Sequence, residues 1–307
     1  MAITAAMVKD LREMTGAGMM DCKKALNETN GDMDAAVEYL RKNGQAKAEK
    51  KASRIAAEGI ARAAIEGNNA VVVEVNSETD FVAKNELFQN FVQDVAKVAL
   101  SSSLNGGKNG EDIDSLLEQK YTDGTSSVKE VLIEKTATIG EKLSIRRFEK
   151  VSGDTVVSYI HGGGRIGVLV SANGASDEAA KEALTNIAMQ IAALNPMYIS
   201  DSDVEQSYID HETEIIKAQI EADPKEAGKP ENVKAGMIKG RINKQLKDVV
   251  LLDQVYVKAE DGKQTVANYL SSVNKDLVVT KFVRFEVGEG MEKKNEDFAA
   301  EVAAQLG

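Results

Sequence analysis

His161-Gly162-Gly163-Gly164-Arg165-Ile166-Gly167 is the stretch of this sequence that most resembles a chemical motif. It fits G-x-G-x-x-G, and it has the form of the HGGG oxyanion element of some esterases. A dinucleotide fingerprint follows a strand and opens a helix, so that the pyrophosphate meets the helix N-terminus. Here the glycines lie between two strand patterns. The esterase reading needs a G-x-S-x-G nucleophile elbow, which the sequence lacks. A hairpin or bulge using glycine at positive φ accounts for the motif instead. There is no G-x-x-x-x-G-K-[ST], and so no phosphate loop of that kind. Asp201, Asp203, Glu205 and Glu212 echo a calcium loop, but Gln206 stands where the turn needs glycine, which leaves an acidic helix start. His161, His211 and Cys22 have no metal-like spacing, and Cys22 falls on an apolar helical stripe, so it is read as core. No cofactor is expected.

The loop from Asn76 to Asn85, NSETDFVAKN, differs in kind. Phe81 and Val82 precede the apolar helical period that starts at Leu87, so they need not face the core with that helix. One account has Asp80 or Thr79 capping a helix and Phe81 stapled back onto it. The other has an apolar wedge beside a carboxylate, presented on a strand-to-helix corner to something outside.

The elements that must carry these residues follow from length and pattern. The chain has 307 residues, enough for about two domains of ~150 residues. Lys+Arg 38 against Asp+Glu 49 gives a net charge of −11, the wrong sign for general nucleic-acid binding. A basic stripe of Lys47, Lys50, Lys51 and Arg54 is the one feature that favours RNA. No run approaches the ~18 apolar residues of a membrane span, charge appears too early for a signal peptide, and a single cysteine excludes an internal disulfide. A cytoplasmic protein is expected.

Residues 1–53 carry three short helical patterns: Val8, Leu11 and Met14; Met19, Cys22 and Leu26; and, after Asn30-Gly31-Asp32, Met33, Ala36, Val37 and Leu40. They predict a small three-helix bundle. The run AKAEKKASRIAAEGI after it reads as a solvated basic linker, helical or extended, with a boundary near Lys51 to Arg54. The order of a β-branched strand followed by an amphipathic helix occurs at 70–100 and again at 166–194, a weak internal duplication. Between the copies, 143–148 and 155–160 alternate around Ser152-Gly153-Asp154 as consecutive antiparallel strands. The fold class is therefore α+β, not doubly wound. From 200 to 247, Val204, Tyr208, Ile215 and Ile220 on one arm and Val233, Met237, Ile242 and Leu246 on the other predict a projecting antiparallel helical hairpin. Strands are expected at 249–252, 255–257 and 278–285, with a terminal helix at 292–306.

Four collinear blocks, MVKDLREMTGAGMMDCKKAL, ETDFVAKNELF, HGGGRIGVLV and RFEVGEGMEKKNEDFAAEVA, together resemble the bacterial elongation factor Ts family over essentially the whole chain. That resemblance implies a non-enzymatic guanine-nucleotide exchange factor for the GTPase elongation factor Tu, engaging its GDP-bound and nucleotide-free forms. It makes 1–53 a UBA-like domain, 54–142 and 143–287 the two halves of the core, about 200–247 a coiled-coil insertion, and 288–307 a C-terminal module. Thr79, Asp80, Phe81 and Val82 match the segment the family uses to dislodge the partner's Mg²⁺. Met19, Met20, Lys23, Ile139, Gly140 and His161 match partner-contact positions. No direct nucleic acid and no membrane are implied, and a homodimer of the complex stays open.

Overall fold

A computed structural model describes residues 3–292. Three helices come first: α1 (Ala5–Thr15), α2 (Met19–Glu28) and α3 (Met33–Lys51). Thr4 and Asp32 cap α1 and α3 through side-chain oxygens that accept backbone N–H groups. Val8, Leu11, Cys22, Ala25, Leu26 and Ala36 form a separate apolar core. The expected stripes turn outward at Met14 and Met19, both exposed. The basic run takes the helical form as far as Lys51, where α3 ends, within the boundary expected near Lys51 to Arg54. Two of its cations are paired: Lys47 with Asp21 at 2.9 Å and Arg54 with Glu78 at 3.2 Å. Cys22 is fully buried, and burial pushes its thiol pKa up. Both effects hide the reactive thiolate. A maleimide at neutral pH is expected to label Cys22 slowly in the native chain and completely in urea; fast native labelling would mean that the bundle opens readily.

The hairpin of β1 (Glu58–Glu66) and β2 (Asn69–Ser77) is followed by the one-turn α4 (Asp80–Ala83), α5 (Glu86–Ser101), the two-residue β3 (Gly106–Gly107), α6 (Ile113–Leu117), α7 (Val128–Ile139) and β4 (Ser144–Ser152). Then come β5 (Thr155–His161), β6 (Ile166–Asn173), α8 (Glu178–Leu194), α9 (Gln206–Ala222), α10 (Glu231–Val249), α11 (Val266–Val273) and β7 (Val278–Glu286). Two antiparallel sheets result, in the orders β1-β2-β4-β3 and β5-β6-β7.

The sheets pack face to face between helices. On β2, Val71, Val73 and Val75 meet Phe88, Phe91 and Val95 of α5, while Ala70 and Val72 meet Leu169, Val283 and Phe285 of the other sheet. β6 divides the same way, with Val168 and Val170 toward Leu184 and Ile187 of α8 and Leu169 toward the opposite sheet. Burial on both faces is why these two strands read as unbroken apolar runs instead of alternating. The layers approach closely where β6 crosses β1: a Cβ added at Gly167 would lie 2.8 Å from Val72 and 2.9 Å from Ala61.

Buried charge pins one end of the sandwich. Glu74 of β2, fully buried, accepts from Arg147 Nε at 2.6 Å, from Arg146 at 3.0 Å and from the Gly288 N–H at 2.9 Å. The Arg147 guanidinium lies 4.3 Å from the centre of the Phe285 ring.

Several expectations need correction. The strands at 143–148 and 155–160 do not pair with each other: β4 joins β2, and β5 joins β6 in the second sheet. No strand forms at 249–252 or 255–257. Val249 ends α10, Leu251–Asp253 is a 3₁₀ turn, and only isolated bridges at Val250 and Val255 remain. In the hairpin of α9 and α10 the inner faces are Ile216 and Ile220 against Ile242, whereas Ile215 and Val233 point outward. Leu87, counted with the apolar period of α5, is exposed in its first turn. The terminal helix at 292–306 and most of the module at 288–307 lie outside the described residues.

Candidate functional site

The corner between β2 and α5 is built from side chains that bond to backbone. Thr79 is extended (φ −129°, ψ 157°) and caps α4, its hydroxyl accepting the Val82 N–H at 3.4 Å. Glu141 holds it from outside: one carboxylate oxygen accepts the N–H groups of Glu78 and Thr79 at 3.0 Å each, and the other accepts the Thr79 hydroxyl at 2.6 Å. The clasp is returned from the other side. Glu78 accepts the Lys142 N–H at 2.6 Å and an Arg54 guanidinium N–H at 3.2 Å, while Lys142 Nζ donates to the Arg54 carbonyl at 2.8 Å.

On this braced corner Phe81 is 81% exposed. Thr79, not Asp80, is the cap, and Phe81 is not stapled back. Val82 is half-buried against the core that holds Ala83. Asp80 faces Lys84 at 2.6 Å, and that bond holds its carboxyl below the usual range, hence ionised at neutral pH. The corner therefore presents an uncovered aromatic ring beside the Asp80–Lys84 ion pair.

Ile139 and Gly140 end α7 and lead straight into Glu141, so they lie at the same corner as Thr79. His161 is exposed at the end of β5, its Nδ1 3.0 Å from the Tyr159 hydroxyl. The glycines after it turn the chain from β5 into β6 at φ 58°, 67° and 114°, values that favour glycine. This is the hairpin reading: the motif forms a single 3₁₀ turn, Gly162–Gly164, between the strands and opens no α-helix. The turn rests on β1, with Gly164 against Ile60, a residue of the core that also holds Ala83. Met19, Met20 and Lys23 are exposed on α2, in the N-terminal bundle. Asp203 is spent accepting the Ser200 N–H at 2.9 Å, and among the described residues no three His, Cys, Asp or Glu side chains cluster as a metal site. No described helix is long and apolar enough to cross a membrane. Sequence reasoning stopped at Gly140 and missed Glu141, Glu78 and Arg54. No local spacing marks them, because their partners lie 24 to 64 positions away.

Fold and corner together define an α+β protein of two packed antiparallel sheets that offers an apolar ring on a rigid surface turn. A family profile described as Elongation factor TS matches residues 78–289. The chain is 51% identical over 310 aligned residues to an elongation factor Ts of Clostridioides difficile (strain 630), with 99% of each chain covered. It is 49% identical over 309 residues to that of Acholeplasma laidlawii (strain PG-8A), covering 100% of this chain and 99% of that one. The chain belongs to the elongation factor Ts family, and its role is that of a translation elongation factor.

Proposed function

We propose that this chain is a guanine-nucleotide exchange factor that binds elongation factor Tu carrying GDP, displaces its Mg²⁺ and promotes GDP release so that GTP can bind. The observation that carries the reading is Phe81, exposed on a corner locked by Glu141 and next to the ionised Asp80. A GTPase holds its nucleotide partly through Mg²⁺ bridging phosphate oxygens, so loss of that ion weakens the grip on the phosphates. Exchange needs no covalent chemistry. The factor must bind the empty GTPase more tightly than the filled one, and linkage then requires nucleotide to weaken the factor by the same ratio. Burying a phenylalanine side chain supplies about 1.5–3 kcal/mol toward the displaced conformation. The remaining driving force comes from the other contact positions, Met19, Met20, Lys23, Ile139, Gly140 and His161.

On the same reading, 1–53 is the UBA-like module that engages the nucleotide-binding domain, 54–142 and 143–287 are the core halves, 200–247 is the coiled-coil insertion, and 288–307 is a further contact module. The factor works in the cytoplasm. An acidic chain whose Lys47 and Arg54 are already paired favours a protein partner over RNA. The test is rapid mixing of the full chain with elongation factor Tu carrying a fluorescent GDP, in excess unlabelled nucleotide. Release is expected to accelerate in proportion to the chain until it saturates. A complex that forms without accelerating release would overturn the proposal.

A further inference from the structure

α4 is a single turn of four residues, too short to hold its own direction. Phe81 is almost fully exposed, so its orientation depends on what fixes its neighbours: Val82 and Ala83, which pack on the core, after it, and Glu78 and Thr79 before it. Glu141 does this with one carboxylate that takes both backbone N–H groups and the hydroxyl at Glu78 and Thr79. Its own position is set by α7, which ends immediately before it at Gly140. The N-terminal helices rest on the same α7: Gly44 of α3 lies against it, with room for only a 3.4 Å approach between an added Cβ and that of Ala137. Arg54, just beyond α3, binds Glu78 from the opposite side. One frame therefore carries both the helical bundle and the corner.

We infer that Glu141 is a positioning residue for nucleotide exchange, aiming Phe81 by locking the Glu78-Thr79 backbone. This rests on the reading of Phe81 as the group that enters the partner. A ring held in its bound direction has less conformational freedom to lose on docking. Removing the lock should therefore impair the step in which the ring acts more than the initial association.

The experiment measures fluorescent GDP release from elongation factor Tu across a range of factor concentrations, using full-length chains: unmodified, Phe81→Ala, Glu141→Ala and the double variant. Glu141→Ala is expected to lower the maximal release rate by about fivefold or more while the half-saturating concentration moves by less than about twofold. In the Phe81→Ala background the same change should add less than about twofold, because both variants disable one device. A maximal rate for Glu141→Ala equal to that of the unmodified chain, or losses that multiply in the double variant, overturns the inference while leaving the Phe81 reading intact. A Phe81→Ala chain that releases GDP at the unmodified rate overturns that reading and the inference with it. If Glu141→Ala loses its cooperative melting transition, Glu141→Leu, which keeps the bulk of the side chain and removes both acceptor oxygens, is judged by the same criteria.

Discussion

Phe81→Ala should slow factor-stimulated GDP release by about ten- to a hundredfold, the range that corresponds to losing about 1.5–3 kcal/mol of burial available only in the complex. The ring is exposed in the free chain, so its removal leaves no cavity and breaks no packing. The thermal midpoint of the variant should therefore match that of the unmodified protein. This combination of a large kinetic loss with no stability loss separates a wedge from a staple, since a staple would lower the midpoint and leave exchange alone. Stopped-flow release and a thermal melt on the same preparation decide it.

Glu74→Ala should have the largest effect on stability. Arg147 is only 4% exposed, and without Glu74 its guanidinium stays buried against the Phe285 ring, its Nε unpaired and its other end left with the Glu286 carbonyl at 3.1 Å and the Glu289 carboxylate at 3.2 Å. Breaking a buried ion pair by deleting one partner costs about 3–5 kcal/mol, more than the pair contributes relative to apolar residues of the same size. The urea midpoint should fall accordingly. A double variant, Glu74→Leu with Arg147→Met, should regain much of the loss because the one charge that loses its partner, Arg146, is 25% exposed and can be hydrated. An unchanged midpoint for Glu74→Ala would mean that water reaches the pair and the sandwich end is open.

How much of this was readable from the residues varies by element. β2 and β6 were legible because burial on both faces leaves a contiguous apolar run. β1 was not: EGIARAAIE is rich in alanine and reads as helix or linker. One of its alanines, Ala61, lies at the close crossing of β6, where a Cβ on Gly167 would come within 2.9 Å of it, a distant constraint that no local pattern declares. The strands expected at 249–257 failed for the opposite reason. Val249 and Val250 belong to a helix end, Leu251 and Tyr256 pack with α8 and α11 while Val255 and Val257 are exposed, and short apolar runs do not declare their period. In the hairpin, Ile215 and Ile216 are adjacent, and the phase of the helix, settled by Ile242 on the facing arm, decides which one is inside. The corner was legible as a motif but not in its state. The residues of ETDFVA are compatible with either a staple or a wedge, and what distinguishes the two is a carboxylate 62 positions further on.

The two-sided burial of β2 also bears on how the polypeptide is made. Its second face is covered by Val283 and Phe285, and its Glu74 is satisfied in part by Gly288, 214 positions later. During synthesis, then, the first sheet waits with an oily surface, its Glu74 paired with Arg146 and Arg147 but lacking its last donor, until almost the last of the described residues have left the ribosome. Long-range closure of this kind is slow and exposes the growing chain to aggregation meanwhile. A factor that serves protein synthesis is thus itself among the products that depend on nearly complete emergence before they can close.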